Sequence, residues 1–416
     1  MCALGVAWVC GGFRPLAGHI SAKIAVLVTM IVLLQAVYSI YEMGQPAVEV
    51  ARGIAPYYYC FFAFVAYNCL ISAPRGWLRR LAGSRKLVGA LTTGVLAALT
   101  VSFAMNTYMP EVLPSMPGAD IAVVCYKATD ALMPLAVVMV LWSVGKSGTL
   151  LGIWALSLSL IGGARSRATL LGLLILFIFA AKLRPRFLAL VGVVLLIAAA
   201  MLTMDVSISL GYREVSVRQY AANVLGIVSP VDGAQIDYNA YQNREWRRKW
   251  WMSILDDSIS QPYLLIGRGW GSNLALDYGV VSAYDVSTNA LVLRNPHNIF
   301  FSTLGRGGWM VAGLWCCLHF SLLMALLPIL RASKGRYPEF YLATKVCLTF
   351  LAVGLVQGSA DVFLESPQNA IPHWIAIGVS WYVIERWNQA RRVEQRLEQG
   401  LVEPAWSQEE MLGMAR

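Results

Sequence analysis

IAVLVTMIVLLQAVYSIY, residues 24–41, decides the class of protein. It carries no charge. At 1.5 Å per residue a helix of this length spans about 27 Å, close to the ~30 Å hydrocarbon core of a bilayer. Windows that qualify, or nearly so, recur at 54–73, 88–105, 121–144, 149–163, 169–181 and 187–204, and after a long gap at 308–330, 340–356 and 371–384. The whole chain agrees, with 58% hydrophobic and only 13% charged residues among 416 and a mean hydropathy of +0.59. A soluble multidomain enzyme is excluded, because apolar side chains on this scale would overfill a water-facing fold. The windows predict an all-α polytopic integral membrane protein with ten firm spans. Residues 1–13 are apolar but short, so they suit a half-span or an interfacial piece. They also lack the basic opening of a signal peptide.

The net charge of +10 is mostly orientation. Arg75, Arg79, Arg80, Arg85 and Lys86 fall on one side of the alternating spans, with Lys146, Lys182, Arg184, Arg186, Arg331, Lys334 and Arg336. Arg386, Arg391, Arg392 and Arg396 join them. The opposite loops at 106–120 and 357–373 contain no Lys or Arg. The positive-inside rule therefore predicts cytoplasmic termini, with the 205–297 segment on the far side of the membrane. That segment holds eight basic and nine acidic residues, so a nucleic-acid partner is not expected. The predicted organisation is an N-terminal transmembrane bundle (1–204), a large outer loop with an amphipathic helix (205–297), C-terminal spans (298–386) and a cytoplasmic tail (387–416).

The outer loop is too rich in tryptophan for disorder. NREWRRKWWMSILDDSIS (243–260) reads as a helix with Trp246, Trp250, Ser253 or Ile254, and Asp257 along one face. Arg244, Arg247, Arg248 and Lys249 crowd its first half. An interfacial helix lying on membrane lipids explains it, as do arginines turned toward a bound anion, and the two are compatible. PYLLIGRGWGSN (262–273) follows, with glycines suited to tight turns and Arg268 as a candidate anion ligand.

Arg165 and Arg167 sit at an outer boundary, where topology does not call for them. Lys127 and Asp130 lie three apart on one helix face, where they would neutralise each other. His297 lies where the outer loop re-enters the membrane, followed by Asn298 and flanked by Arg294 and Arg306. His19, His319 and His373 read as structural. Arginine grips phosphate oxygens bidentately and stays charged, so it suits a diphosphate leaving group. An imidazole takes a proton from a hydroxyl near neutral pH. Together they suit transfer of a group from a lipid diphosphate to an alcohol. Asp256–Asp257 is not the spaced acidic motif of metal-dependent glycosyltransferases, so neither a metal nor another cofactor is expected.

Three stretches carry a family resemblance. ARSRATLLGLLI (164–175) supplies Ser166 and Arg167, and RRKWWMSILDDSISQPYLLIGRGWG (247–271) supplies Arg247, Trp251, Pro262, Gly267 and Gly269. HNIFFSTLGRGGWMVAG (297–313) supplies His297, Asn298 and Gly308, with Val311 where the ligase pattern ends on Gly, Thr or Tyr. In order and spacing they resemble the O-antigen ligases of Gram-negative lipopolysaccharide assembly, within the wider ligase/polymerase superfamily. The resemblance covers roughly residues 150–385. It implies a GT-C-like fold of 10–12 transmembrane helices in the bacterial inner membrane, with the large loop periplasmic. It implies undecaprenyl-diphosphate-linked O-antigen as donor and lipid A–core oligosaccharide as acceptor. Carried over, Arg167 and Arg247 bind the diphosphate, and His297 is the general base of an inverting transfer. Asn298, Lys127 and Trp251 are expected to support them. Arg165, Arg268, Arg294 and Arg306 are further diphosphate candidates from position alone. An O-antigen polymerase, a protein O-oligosaccharyltransferase and, more distantly, a lipid or solute transporter stay open as alternatives.

Overall fold

The computed structural model describes residues 15–74, 76–77, 80, 83–109, 132–143, 148, 150–155, 157–158, 207–210, 213–216, 238–259, 263–280, 295–359 and 363–399. The longer helices among them are α1 (Ile20–Tyr41), α2 (Ala47–Tyr58), α3 (Phe61–Ile71), α4 (Arg85–Tyr108), α5 (Leu132–Ser143), α6 (Tyr238–Ile259), α7 (Ile299–Ser333), α8 (Pro338–Gly358) and α9 (Pro367–Glu398). Among the described residues five helices are long and apolar enough to cross a membrane: α1, the run through α2 and α3, α4, α7 and α8. The chain is a multi-pass membrane protein built of helices. The expected spans 169–181 and 187–204 and the segment 1–13 lie outside the described residues.

Sequence explains where these helices break. The expected 54–73 span begins earlier, at Ala47, and is tightened at Tyr59–Cys60. Pro56 lacks the N–H that would continue the ladder, and the following turn closes with three-residue bonds such as Cys60 N–H to the Tyr57 carbonyl at 3.0 Å. Helix α9 continues past the expected 386/387 division between the last span and the tail. It runs unbroken to Glu398, because no Gly or Pro interrupts it there. Glu394 also ties it to Arg391 one turn back, at 2.6 Å, and to Arg336 before α8. Among the described residues a short hairpin is not helical. Strands β1 (Ser207–Leu210) and β2 (Arg213–Ser216) pair antiparallel, Ser207 opposite Ser216. The alternating Ser-Ile-Ser-Leu pattern carries that signal, and an all-α reading passes over it.

Helix α7 is the axis of the fold, packing against α1, α6 and α8, while α9 packs along α3 and α8. In lipid there is little hydrophobic drive between helices, so packing and polar contacts hold them together. Tryptophan N–H groups do this repeatedly here. Trp374 donates to the Pro56 carbonyl at 2.6 Å, Trp381 to Ser21 Oγ at 2.9 Å and Trp77 to Tyr382 Oη at 3.0 Å. The topology separates two ends of the bundle. One gathers His19, Tyr67, Glu385 and Arg336; the other gathers the start of α7, the end of α8 and the C-terminal part of α1.

Candidate functional site

The site grows from a turn. Residues 295–298 precede α7, and His297 within them has φ 53°. It is the one non-glycine residue with positive φ among the described residues. Such a conformation costs free energy and persists only where its surroundings enforce it. Here three neighbours do so. Asn298 caps α7, its Oδ1 accepting from the N–H of Phe300 at 2.9 Å and of Phe301 at 3.3 Å. Its Nδ2 donates to the Ser359 carbonyl at 2.7 Å, fastening the turn to the end of α8. Trp251 of α6 donates from its indole to the Pro296 carbonyl at 2.6 Å and stacks on Phe301, ring centres 5.4 Å apart. Arg306 reaches back to Asn295 Oδ1. His297 itself is half-buried.

Helix α6 forms as the sequence predicts, but its tryptophan face is not an open membrane-facing stripe. Trp250 and Ile254 are buried against Leu274, Leu304 and Ala312, with Trp246 packed beside them. The face packs on α7 because its partner residues come from the following loop and from α7 itself. Arg248 and Lys249 point outward. Arg247 is half-buried and lies one turn before Trp251, so both share the side of α6 that meets the His297 turn.

The arginines separate by their partners. Arg306 is buried, with 6% of its surface exposed. It donates to Ser302 Oγ at 2.7 Å, to the Ser272 carbonyl at 3.4 Å and to Asn295, and lies 3.6 Å from Glu365 Oε2. The diphosphate role given to Arg306 from position is thus joined by another: it fastens four segments around His297. Arg268 donates to both carboxylate oxygens of Asp257 from one edge of its guanidinium, Nε at 2.8 Å and Nη2 at 3.0 Å, and lies over the Tyr278 ring at 4.8 Å. Burial raises the Asp257 carboxyl. The hydrogen bonds from Arg268 and Tyr278 and the Arg268 charge outweigh that and hold it below the usual carboxylate range. An anion at Arg268 would compete with this pair. Lys127, Arg165, Arg167 and Arg294 lie outside the described residues.

The glycine-rich loop after α6 is a brace. Within α7 the backbone leaves the helix at Gly308 (φ 70°, ψ −175°), a region only glycine occupies readily. The expected membrane span beginning at Gly308 starts at this break. Leaving the helix frees carbonyls, and each of three finds a donor: Gly305 from Arg268 N–H at 2.8 Å, Arg306 from Gly269 N–H at 3.0 Å, and Gly307 from Gln35 Nε2 at 3.1 Å. Gln35 Oε1 accepts in turn from the Trp270 indole at 3.0 Å. Gly267 (φ 64°) allows this approach, since a Cβ there would stand 2.4 Å from the Arg306 carbonyl carbon.

Glu365 escapes a sequence reading. It lies in a one-turn helix, Phe363–Glu365, within the loop lacking Lys and Arg. Burial holds its carboxyl above the ordinary range, and the Arg306 charge, the Ser302 hydroxyl and His297 offset that only in part. The only hint in sequence is an acidic residue in the loop that faces an arginine-bearing one. The other histidines are elsewhere: His319 and His373 meet at 2.9 Å between Nε2 atoms, and His19 lies 3.6 Å from Glu385. The chain matches no protein-family model and no curated protein sequence.

Proposed function

We propose that the chain is an inverting, metal-independent glycosyltransferase of the O-antigen ligase kind, acting at the periplasmic face of the bacterial inner membrane. The donor is a glycan on undecaprenyl diphosphate and the acceptor a sugar hydroxyl of lipid A–core oligosaccharide. The observation that carries this reading is His297, held in a left-handed turn at the mouth of a membrane helix by Trp251, Asn298 and Arg306. A histidine held in a costly conformation beside arginines is arranged for a reaction rather than for packing. The acceptor hydroxyl attacks the anomeric carbon, the carbon–oxygen bond to the diphosphate breaks, and the lipid diphosphate leaves with the electron pair. The hydroxyl proton goes to the His297 imidazole. Arg247, with Arg167 by resemblance, holds the leaving diphosphate.

The test is reconstitution of the purified protein with lipid-linked glycan and, separately, lipid A–core, a lipid-linked glycan or a protein as acceptor. Transfer to lipid A–core is expected, and His297→Ala should lower it by about 10²–10⁴-fold, the usual worth of a general base. Undiminished transfer by His297→Ala overturns the base assignment. Polymerase activity is the second reading, favoured by Val311 at the position where the ligase pattern has Gly, Thr or Tyr. It predicts elongation of lipid-linked glycan instead.

A further inference from the structure

The proposed reaction leaves a positive imidazolium on a half-buried residue, with a buried arginine close by. That charge needs an opposite one. Glu365 is the acidic side chain placed to supply it. Its Oε2 lies 3.6 Å from Arg306 Nη1, its side chain is only 11% exposed, and it lies within electrostatic reach of His297. The geometry is shared. Arg306 holds Asn295, two residues before His297, and Asn298, the next residue, holds the end of α8 from which the Glu365 loop departs. Gly358 on that end packs closely on both sides, with Leu364 at 3.0 Å and Ile299 at 3.3 Å from where a Cβ would stand. The Glu365 turn and the His297 turn are therefore clamped to each other. A further clue is Glu365 Oε1, buried with no hydrogen-bond partner among the described residues. A carboxylate that Arg306 alone required would be expected to engage both oxygens; this one keeps an oxygen in reserve.

We infer that Glu365 is a positioning residue for the base: a carboxylate, seated by Arg306 and Ser302, that stabilises His297 as it takes the acceptor's proton. The inference rests on the reading of His297 as general base. Among the described residues, the charged and titratable groups facing Glu365 are Arg306, His297 and, across Thr303, Tyr57.

The test uses Glu365→Gln, which keeps size and hydrogen bonding but not charge, and Glu365→Asp, which keeps the charge. Acylation of His297 by diethyl pyrocarbonate, read by mass spectrometry across pH on the full-length protein in detergent, reports when the imidazole is neutral. Without the carboxylate, protonation is harder, so labelling in Glu365→Gln should persist to about one pH unit lower, as expected for loss of a nearby opposite charge. Glu365→Asp should restore most of the wild-type profile. In the transfer assay, Glu365→Gln should lower kcat at least tenfold, move the acid limb of the pH profile down and leave KM for the donor unchanged. An unmoved labelling profile overturns the inference even if transfer is normal. A moved profile in a protein that transfers no glycan leaves the inference standing and overturns the proposed reaction. Should Glu365→Gln fail to fold, Glu365→Asp decides: with its shorter reach, a wild-type labelling profile together with wild-type kcat supports the role of charge, and a changed profile despite full Arg306 pairing overturns it.

Discussion

Two arginines near the same turn show how much a residue's work depends on partners distant in sequence. Arg268 and Arg306 both stand in glycine-rich stretches and look alike there. Arg268 pairs with Asp257, so its role is to close the α6 end of the loop. The pair is partly exposed, about a quarter on either side, and is worth about 1 kcal/mol after solvent screening. The sign of its pH dependence follows from the lowered Asp257 carboxyl. Stability from the pair is fully present above the unfolded aspartate range, near 3.9, and is lost as pH falls through the lower folded value. Thermal unfolding in detergent should show wild type losing this increment below about pH 4. Asp257→Asn should be less stable at pH 7 by about 1 kcal/mol and should lose less on acidification. Equal acid sensitivity in both would mean the pair does not form. His297 stands out in the sequence because its signal is local, a histidine at a re-entry point with Asn298 next to it, whereas Trp251 enters only through the family resemblance. Glu365 does not stand out, because its pairing with Arg306 joins residues separated by a whole hairpin of spans.

At the scale of elements, helix α7 is the case where a continuous pattern hides a break. Its apolar run predicts one span, and the run through LGRGGWM (304–310) carries glycines that a helix tolerates at some cost. What the periodicity does not show is that a separate loop would supply donors to the freed carbonyls. Those donors come from Gln35 on α1 and from the backbone after α6. A break within reach of lipid is stable only with them. Gly308 is the position that permits it, and a Cβ there would stand 2.3 Å from the Leu265 carbonyl carbon and oxygen. Gly308→Ala should therefore cost about 3 kcal/mol or more, from strained backbone together with a clash against main chain. Thermal unfolding measures it directly, with Gly313→Ala as control, since no atom lies within 4 Å of a Cβ there. If Gly308→Ala is as stable as Gly313→Ala, the break is not a feature of the protein in solution. The same loop explains why Trp250 of α6 is buried: its partners Leu274 and Leu304 come from beyond the helix, so α6 alone looks like a membrane-surface element.

At the scale of the whole molecule, one orientation has to satisfy both the charge distribution and the proposed chemistry. The helices place His297, Glu365 and the brace around Gly308 at one end, and Arg331, Lys334, Arg336 and Arg386 at the other. The positive-inside rule expects the histidine end outside, where the lipid-linked donor of the proposed reaction would meet it without any nucleotide. Single cysteines in a cysteine-free background test this with a membrane-impermeant maleimide. Met252 on α6 and Lys334 between α7 and α8 are both exposed, so neither label is blocked by packing. In intact spheroplasts, Met252→Cys should react fully, and Lys334→Cys should react only once the membrane is opened. The reverse pattern would move the histidine to the cytoplasm and remove the acceptor proposed for it. Labelling of both sites in sealed cells would mean that the chain does not hold one orientation. Adding two lysines to the basic-free loop at 357–373 should weaken the bias that fixes the C-terminal spans, and a mixed population at Lys334→Cys would then appear. The loop that houses Glu365 carries no Lys or Arg of its own, and among the described residues Arg306 is the arginine its carboxylate meets.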